Sequence, residues 1–299
     1  VIRVVSWQCS GVAWVPWRIG RALAGSKTIN YRAVASHPDL ESYGLEEIEW
    51  DADLLRAIGD AKIVHLHHAY VARDLIPMIR AERPNTRIVV TIHGEPDRTY
   101  GLREMSTLPD AFHIVEPDLR SILPGNVPCT FIPNHPSIEH PGSRDTEFRR
   151  PSLFFPYSHV AQHKDPDAAL AVSTQLVKHG WMPNWAHVRQ VNANIAERLR
   201  ENDAAWVQMR GYLDLFAMEC WTYGALPVVL RPRSIGAWSE ALGFAPDLPF
   251  TNGAPASIVS TLLSGDWRAT IERNREGMTR AWTVDRCRRA WERFYENVA

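Results

Sequence analysis

The chain is poor in the features that mark several common protein classes. Its four cysteines (Cys9, Cys129, Cys220 and Cys287) are far apart and form no CxxC pair. That spacing speaks against a zinc site and a disulfide framework, and fits a reducing cytoplasm. No apolar run reaches the roughly 18 residues that cross a bilayer. Charge of one sign is also missing. The 33 Lys and Arg against 34 Asp and Glu leave a formal net charge of −1, which argues against a generally basic, nucleic-acid-coating surface but not against a local patch. The loop after the first β-rich run, Ser10-Gly11-Val12-Ala13-Trp14, holds a single glycine. A dinucleotide fingerprint, and with it a dehydrogenase or epimerase, is therefore excluded. There is no internal repeat and no low-complexity tract.

What is present is the composition of a globular protein, with 45% hydrophobic and 22% charged residues. A length of 299 residues fits two domains of about 150 each. The 12 tryptophans suit core and interface packing, with sugar stacking as a second use.

Short β-rich runs alternate with helical stretches along the first half: strands at Val1–Ser6, Ile29–Ser36, Lys62–His67, Arg87–His93, Ala111–Val115 and Cys129–Ile132, with helices through Trp17–Ala24 and Val71–Glu82. The stretch PNHPSIEHPGSRDTEFRRP, from Pro133 to Pro151, is rich in Pro, His, Ser and charge and reads as an interdomain linker. A second alternating series follows. It has strands at Leu153–Tyr157, Ala204–Met209 and Leu226–Leu230. Helices are expected at Asp167–His179, Val188–Glu201, Asp214–Tyr223, Ala254–Leu263, Trp267–Trp282 and Thr283–Val298. Strands alternating with helices predict doubly wound α/β sheets, whose ligands bind outside the carboxyl ends of the strands. The expected organisation is an amino-terminal Rossmann-like domain over residues 1–140, a second over 151–282, and a final helix over 283–299 packing back toward the first domain.

The most informative stretch is GYLDLFAMECWTYGALPVVL, from Gly211 to Leu230. Asp214 can cap a helix whose first turn offers free N–H groups and a positive dipole end, a ready diphosphate site. Glu219 lies about one and a half turns inside, where a carboxylate can accept hydrogen bonds from ribose hydroxyls. Gly224 ends the helix, and Pro227 opens a short strand. From the residues alone, an ordinary α/β helix carrying one solvated Glu stays open.

This stretch resembles the donor-binding signature of the glycosyltransferase family four group, written roughly E-G-F-G-x-x-x-L-E-A-M-A-x-G-x-P-V-V. Met218 to Val229 matches its second half in register. The resemblance implies the GT-B fold, two Rossmann-like doubly wound domains facing a cleft, and transfer of a sugar from a nucleotide-diphosphate donor. It makes Glu219 the ribose-binding second Glu of the E-x7-E pair. The first falls on Gly211, a departure that leaves Asp214 to take over a sugar-hydroxyl contact or donor recognition to differ. Ile63-Val64-His65-Leu66-His67 and Val89-Val90-Thr91-Ile92-His93-Gly94 resemble the family's amino-terminal strand ends, so His93 inherits the place facing the donor sugar and phosphate. Phe131-Ile132-Pro133-Asn134 resembles the I-P-N turn at the domain junction. Lys164 stands where the family's phosphate-binding Lys belongs, with Ser158 or His159 near the position of a missing Arg. The implied donor-binding set is Gly11, Ser158, Gly211, Tyr212, Leu213, Asp214 and Glu219, with His93 and Lys164 as the catalytic pair. The segment between Lys164 and Gly211 is short by at least one strand-helix unit, so base identity does not carry over.

The implied chemistry is metal-independent and retaining, with no cofactor beyond the donor. Asp51-Ala52-Asp53 spells the D-x-D of metal-dependent transferases but opens a helix. In His65-Leu66-His67-His68, strand alternation divides the side chains between two faces. The acceptor is left open between a small molecule, a lipid-linked glycan, a protein and a modified base in viral DNA. For DNA, the residues to consider are Arg149, Arg150, Arg286, Arg288, Arg289 and Arg293, whose first reading is nonetheless a solvated helix face. A relative that binds a nucleotide sugar without transferring it is the alternative.

Overall fold

The computed structural model describes residues 2–6, 26–31, 46–48, 50–94, 101–135, 150–156, 165–185, 195–208, 213–265 and 267–299. Gly11, Ser158, Lys164, Gly211 and Tyr212 lie outside them, as do the expected helix Trp17–Ala24 and the first part of Val188–Glu201. The chain divides into two compact units. One comprises Val1–Pro133 with Val284–Ala299, and the other Asn134–Thr283.

The first unit is a seven-stranded parallel sheet in the order β3-β2-β1-β4-β5-β6-β7. Its strands are β1 (Ile2–Ser6), β2 (Ser26–Tyr31), β3 (Glu46–Ile48), β4 (Ile63–His67), β5 (Arg87–Ile92), β6 (Ala111–Ile114) and β7 (Cys129–Phe131). Two α-helices among the described residues, α1 (Asp51–Ile58) and α2 (Ala69–Glu82), connect successive strands, and short 3-10 turns at Leu102–Glu104 and Pro117–Ile122 serve the later connections. Parallel strands need covering on both faces, so the central ones read as nearly continuous apolar runs. Every residue of β4 is buried, as is all of β5 after Arg87. Helix α2 lays Ala72, Leu75, Ile76 and Ile79 against them, the i, i+3, i+4, i+7 stripe of a core-facing helix. Its Pro77 lies on the exposed side.

The second unit is a four-stranded parallel sheet in the order β11-β10-β8-β9. It is built from β8 (Ser152–Phe155), β9 (Met182–Trp185), β10 (Ala204–Gln208) and β11 (Leu226–Val229). Its helices among the described residues are α3 (Pro166–Lys178), α4 (Ile195–Glu201), α5 (Leu215–Tyr223), α6 (Ile235–Leu242), α7 (Pro255–Ser264) and α8 (Trp267–Ala281). Its core gathers Leu153, Phe155, Val172, Trp206, Leu226, Phe250 and Trp267 among others. The edge strand β9 has the sequence MPNW. It offers no alternation to read, and an edge tolerates its proline. Neither β9 nor β3 nor α6 was expected from the sequence.

The last helix, α9 (Val284–Val298), belongs to the first unit. It buries Cys287, Trp291, Phe294 and Tyr295, one stripe whose large rings each contribute on the order of 1.5–3 kcal/mol. Trp291 lies 5.6 Å from His65 and 4.5 Å from His113, centroid to centroid.

One close approach holds the start of α2. Gly101 is buried, and a Cβ added there would collide with the backbone of Ala69 and Tyr70. Because backbone cannot swing aside, Gly101→Ala is expected to lower the unfolding free energy by about 1–3 kcal/mol. Urea denaturation followed by circular dichroism reads this. An unchanged midpoint would mean that Gly101 does not seat against the helix.

Candidate functional site

In the second sheet the first strand, β8, is flanked by β9 on one side and β10 on the other. Crossovers therefore leave in opposite directions from β8 and β10, the topological switch at which open α/β sheets bind ligands. Helix α5 follows β10 and starts at that end. Asp214 is its N-cap, in extended conformation (φ −83°, ψ 176°), and its carboxylate accepts a 3.0 Å hydrogen bond from the Ala217 N–H. At the other end Gly224 adopts φ 83°, a left-handed conformation that suits glycine. Between these ends every residue from Phe216 to Tyr223 is buried. A helix with no solvated face lies in the core, so its polar members are there for a reason. Glu219 is 7% exposed and is thus no solvated surface carboxylate. Leu213 is buried at 2% and Asp214 is partly exposed. Leu213, Asp214 and Glu219 are therefore brought together along one turn and helix of the second unit.

His93 belongs to the first unit, directly after β5. It stands in a histidine-rich corner at the carboxyl ends of β4 and β5. His67 Nδ1 and His93 Nε2 are 3.0 Å apart. The His68 ring lies 4.5 Å from that of His93 and stacks on Tyr70 at 4.8 Å. His68 takes φ 77°, outside the usual range for a side-chain-bearing residue, the kind of local strain that collects at functional sites.

Behind this corner runs a chain of hydrogen bonds that sequence reasoning missed. It passes from Tyr295 Oη to His65 Nδ1 (2.6 Å), from His65 Nε2 to Thr91 Oγ1 (2.5 Å), from Thr91 Oγ1 to His113 Nδ1 (3.0 Å), and from His113 Nε2 to the Ile132 carbonyl (3.0 Å). A carbonyl can only accept, so with neutral rings the end of the chain fixes every proton upstream. His113 Nε2–H donates to Ile132. Its Nδ1 then accepts from the Thr91 hydroxyl, which accepts from His65 Nε2–H. The Tyr295 hydroxyl donates to His65 Nδ1. Five groups are satisfied in one direction. The signal was available in the sequence: polar residues at alternating positions of strands otherwise apolar on both faces.

Burial is the main reason these rings stay neutral. It holds His65, His67 and His93 well below the usual histidine value, with neighbouring histidines adding to the effect, and it pushes His113 down to about 4. Among the described residues no group of three or more His, Cys, Asp or Glu side chains is arranged to hold a metal ion. No described helix is long and apolar enough to cross a membrane.

No family model matches the chain, and no curated protein matches its sequence. Solved structures do match its architecture. An alpha-glucosyltransferase in complex with UDP-glucose and DNA containing an abasic site superposes with a TM-score of 0.68 at 10% identity, covering 100% of this chain and 98% of that one. The S. aureus protein TarM, in complex with UDP and alpha-GlcNAc-glycerol among other ligands, gives 0.59 at 12% identity over 80% of this chain. The pneumococcal O-GlcNAc transferase GtfA, in complex with UDP and GlcNAc, gives 0.58 at 11% identity over 82%. The chain spans 57% of the TarM chain and 59% of the GtfA chain. The fold is GT-B. In that fold α5 and the His93 corner each occupy the carboxyl edge of a Rossmann-like sheet, where ligands bind.

The neutral histidines make stability depend on pH in a defined direction. In the unfolded chain each takes up a proton near pH 6.5, whereas in the folded chain burial opposes it. Below that pH the unfolded state binds more protons, so stability should fall as pH drops from about 6.5 toward 4. The slope is up to about 1.4 kcal/mol per pH unit for each histidine, and above about pH 7 it vanishes. Tyr295→Phe, which removes the donor to His65, should cost a further ~1–3 kcal/mol at neutral pH. Urea unfolding between pH 7.5 and 5 measures both. A flat wild-type profile would show that the rings are open to water.

Proposed function

We propose that the protein is a glycosyltransferase, akin to the family four group, that moves a sugar from a nucleotide-diphosphate donor to an acceptor hydroxyl. The observation that carries this reading is α5. Its amino terminus is capped by Asp214 at the switch point of the second sheet, and the buried Glu219 follows one and a half turns later. The match of Met218 to Val229 to the donor signature supports the same assignment. In this reading Glu219 accepts hydrogen bonds from the ribose hydroxyls, Asp214 stands in for the acid missing at Gly211, and His93 faces the donor sugar and phosphate. The three structures compared above carry UDP or UDP-glucose, which makes uridine diphosphate sugars the donors to test first.

The bond from the anomeric carbon to the diphosphate oxygen breaks, and a bond to the acceptor oxygen forms on the same face. The acceptor proton passes to the departing phosphate, with no metal required. The helix terminus alone serves the leaving group poorly, because the Asp214 carboxylate already offsets part of its positive end. Lys164 therefore supplies the charge that meets the diphosphate in the transition state. Duplex DNA carrying a hydroxyl-bearing base is the first acceptor to assay, since one matched structure contains DNA. Gly211 at the first acidic position favours one other reading, a nucleotide-sugar binder without transfer. Direct detection of sugar transfer separates the two.

Glu219→Ala should weaken UDP-sugar binding roughly 10- to 150-fold by calorimetry, the worth of lost hydrogen bonds to a charged group, with thermal unfolding little changed. Unaltered affinity would remove the site assignment. Lys164→Ala should lower turnover by more than it raises the donor KM, Lys164→Arg should recover part of the loss, and EDTA should leave wild-type activity intact. Steady-state kinetics with one verified donor and acceptor decides. Wild-type turnover in Lys164→Ala, or loss of activity on chelation, would overturn the leaving-group mechanism.

A further inference from the structure

The second sheet carries a row of three aromatic rings near the carboxyl ends of its strands. Phe155 ends β8, Trp185 ends β9, and the two pair across the parallel ladder. Trp206 of β10 stands at the next level after Ala205, which pairs with Phe154. The Phe155 and Trp185 rings lie parallel, 4.0 Å apart with 9° between their planes. On its other side Phe155 lies 6.0 Å from Trp206, centroid to centroid. The two inner rings are buried at 1% exposure each, whereas Trp185 is 43% exposed. Because β9 is the edge strand, the row runs from the core to the rim and ends in an indole held flat by the ring behind it.

Packing explains the two inner rings. It gives no reason for an indole at the outer position, where an exposed apolar ring on an edge strand invites misplaced association. A side chain already fixed in plane by its neighbour loses little further freedom when a flat ligand lands on it, and such a ring is a stacking platform. Its place in the sheet says which flat group it fits. Trp185 stands at the carboxyl end of β9, and the chain reaches α5 from the carboxyl end of β10, with only β8 between those two strands. Two strand spacings are about 10 Å, the scale on which a nucleoside diphosphate separates its phosphates from its base. We infer that Trp185 is the stacking platform for the nucleobase of the donor. This rests on the reading of α5 as the donor helix.

Two measurements on the full chain test this, made with whichever of UDP, ADP and GDP binds tightest. The first is calorimetry. Trp185→Ala and Trp185→Leu should weaken the nucleotide roughly 5- to 150-fold, the effect of deleting one base-stacking ring, and Trp185→Phe should recover most of the loss. Unchanged affinity in Trp185→Ala, or equal losses in the Phe and Leu variants, would overturn the inference. So would a loss seen with UDP-glucose but not with UDP, because the ring would then hold the hexose. The second is NMR of the nucleotide bound to wild-type protein, where the ring current of a stacked indole should move the base protons upfield. Base protons that do not move would overturn the inference even if the variants fail to fold. Glu219→Ala separates this idea from the reading beneath it. Weakened binding in Glu219→Ala with wild-type binding in Trp185→Ala would overturn the platform and leave the donor helix standing. The reverse pattern would overturn the donor helix and leave the platform, and a wild-type protein that binds none of the nucleotides would overturn both.

Discussion

The constraint on which the rest depends is that parallel strands are covered on both faces. It forces β4, β5 and β6 to be apolar runs, and it forbids an unpaired polar side chain within them without a large cost. The polar residues these strands do carry are therefore paired with one another or stand at strand ends. His65, Thr91 and His113 follow the first course, in a chain of bonds that runs from the last helix to the carbonyl of Ile132. His67 and His93 follow the second, at the carboxyl edge where the sheet opens to ligands. One rule accounts for the buried network and for the histidine corner beside it.

The same covering decides the electrostatics. Desolvation keeps the buried imidazoles uncharged, and the directional chain of donors and acceptors makes that state self-consistent. A neutral histidine corner can offer N–H groups and lone pairs but no net charge. Under the proposed function, charge for a leaving diphosphate has to come from elsewhere, which is the part proposed for Lys164.

Legibility in the sequence varied with the strength of local signals. The strands Ile63–His67, Arg87–Ile92 and Leu226–Val229 and the helices from Pro166, Leu215 and Trp267 are bounded by strong apolar runs or by caps, and were readable within a residue or two. Asp214 and Gly224 as the two ends of α5 followed from capping chemistry alone. The edge strands Glu46–Ile48 and Met182–Trp185 were not readable, since three or four residues with charge or proline carry no period. Their strand form comes from pairing with β2 and β8. The helix Ile235–Leu242 was missed as well.

Residue types and their order along the chain thus determined the alternating α/β plan, the helix that ends at Gly224, and the candidacy of Glu219 and His93. The plan and the helix depend on local propensity and on periods of two and 3.6, which a sequence displays directly, whereas the two candidates rest on the resemblance to the family's signature. Tertiary structure alone decided that Glu219 is buried, that Tyr295 reaches His65 across 230 positions of sequence, and that His67 rather than a carboxylate pairs with His93. The physical reason is that hydrogen-bond partners of buried groups are chosen by strand register and helix packing. A linear pattern shows which groups need partners, and only the folded chain brings the partners within 3 Å of each other.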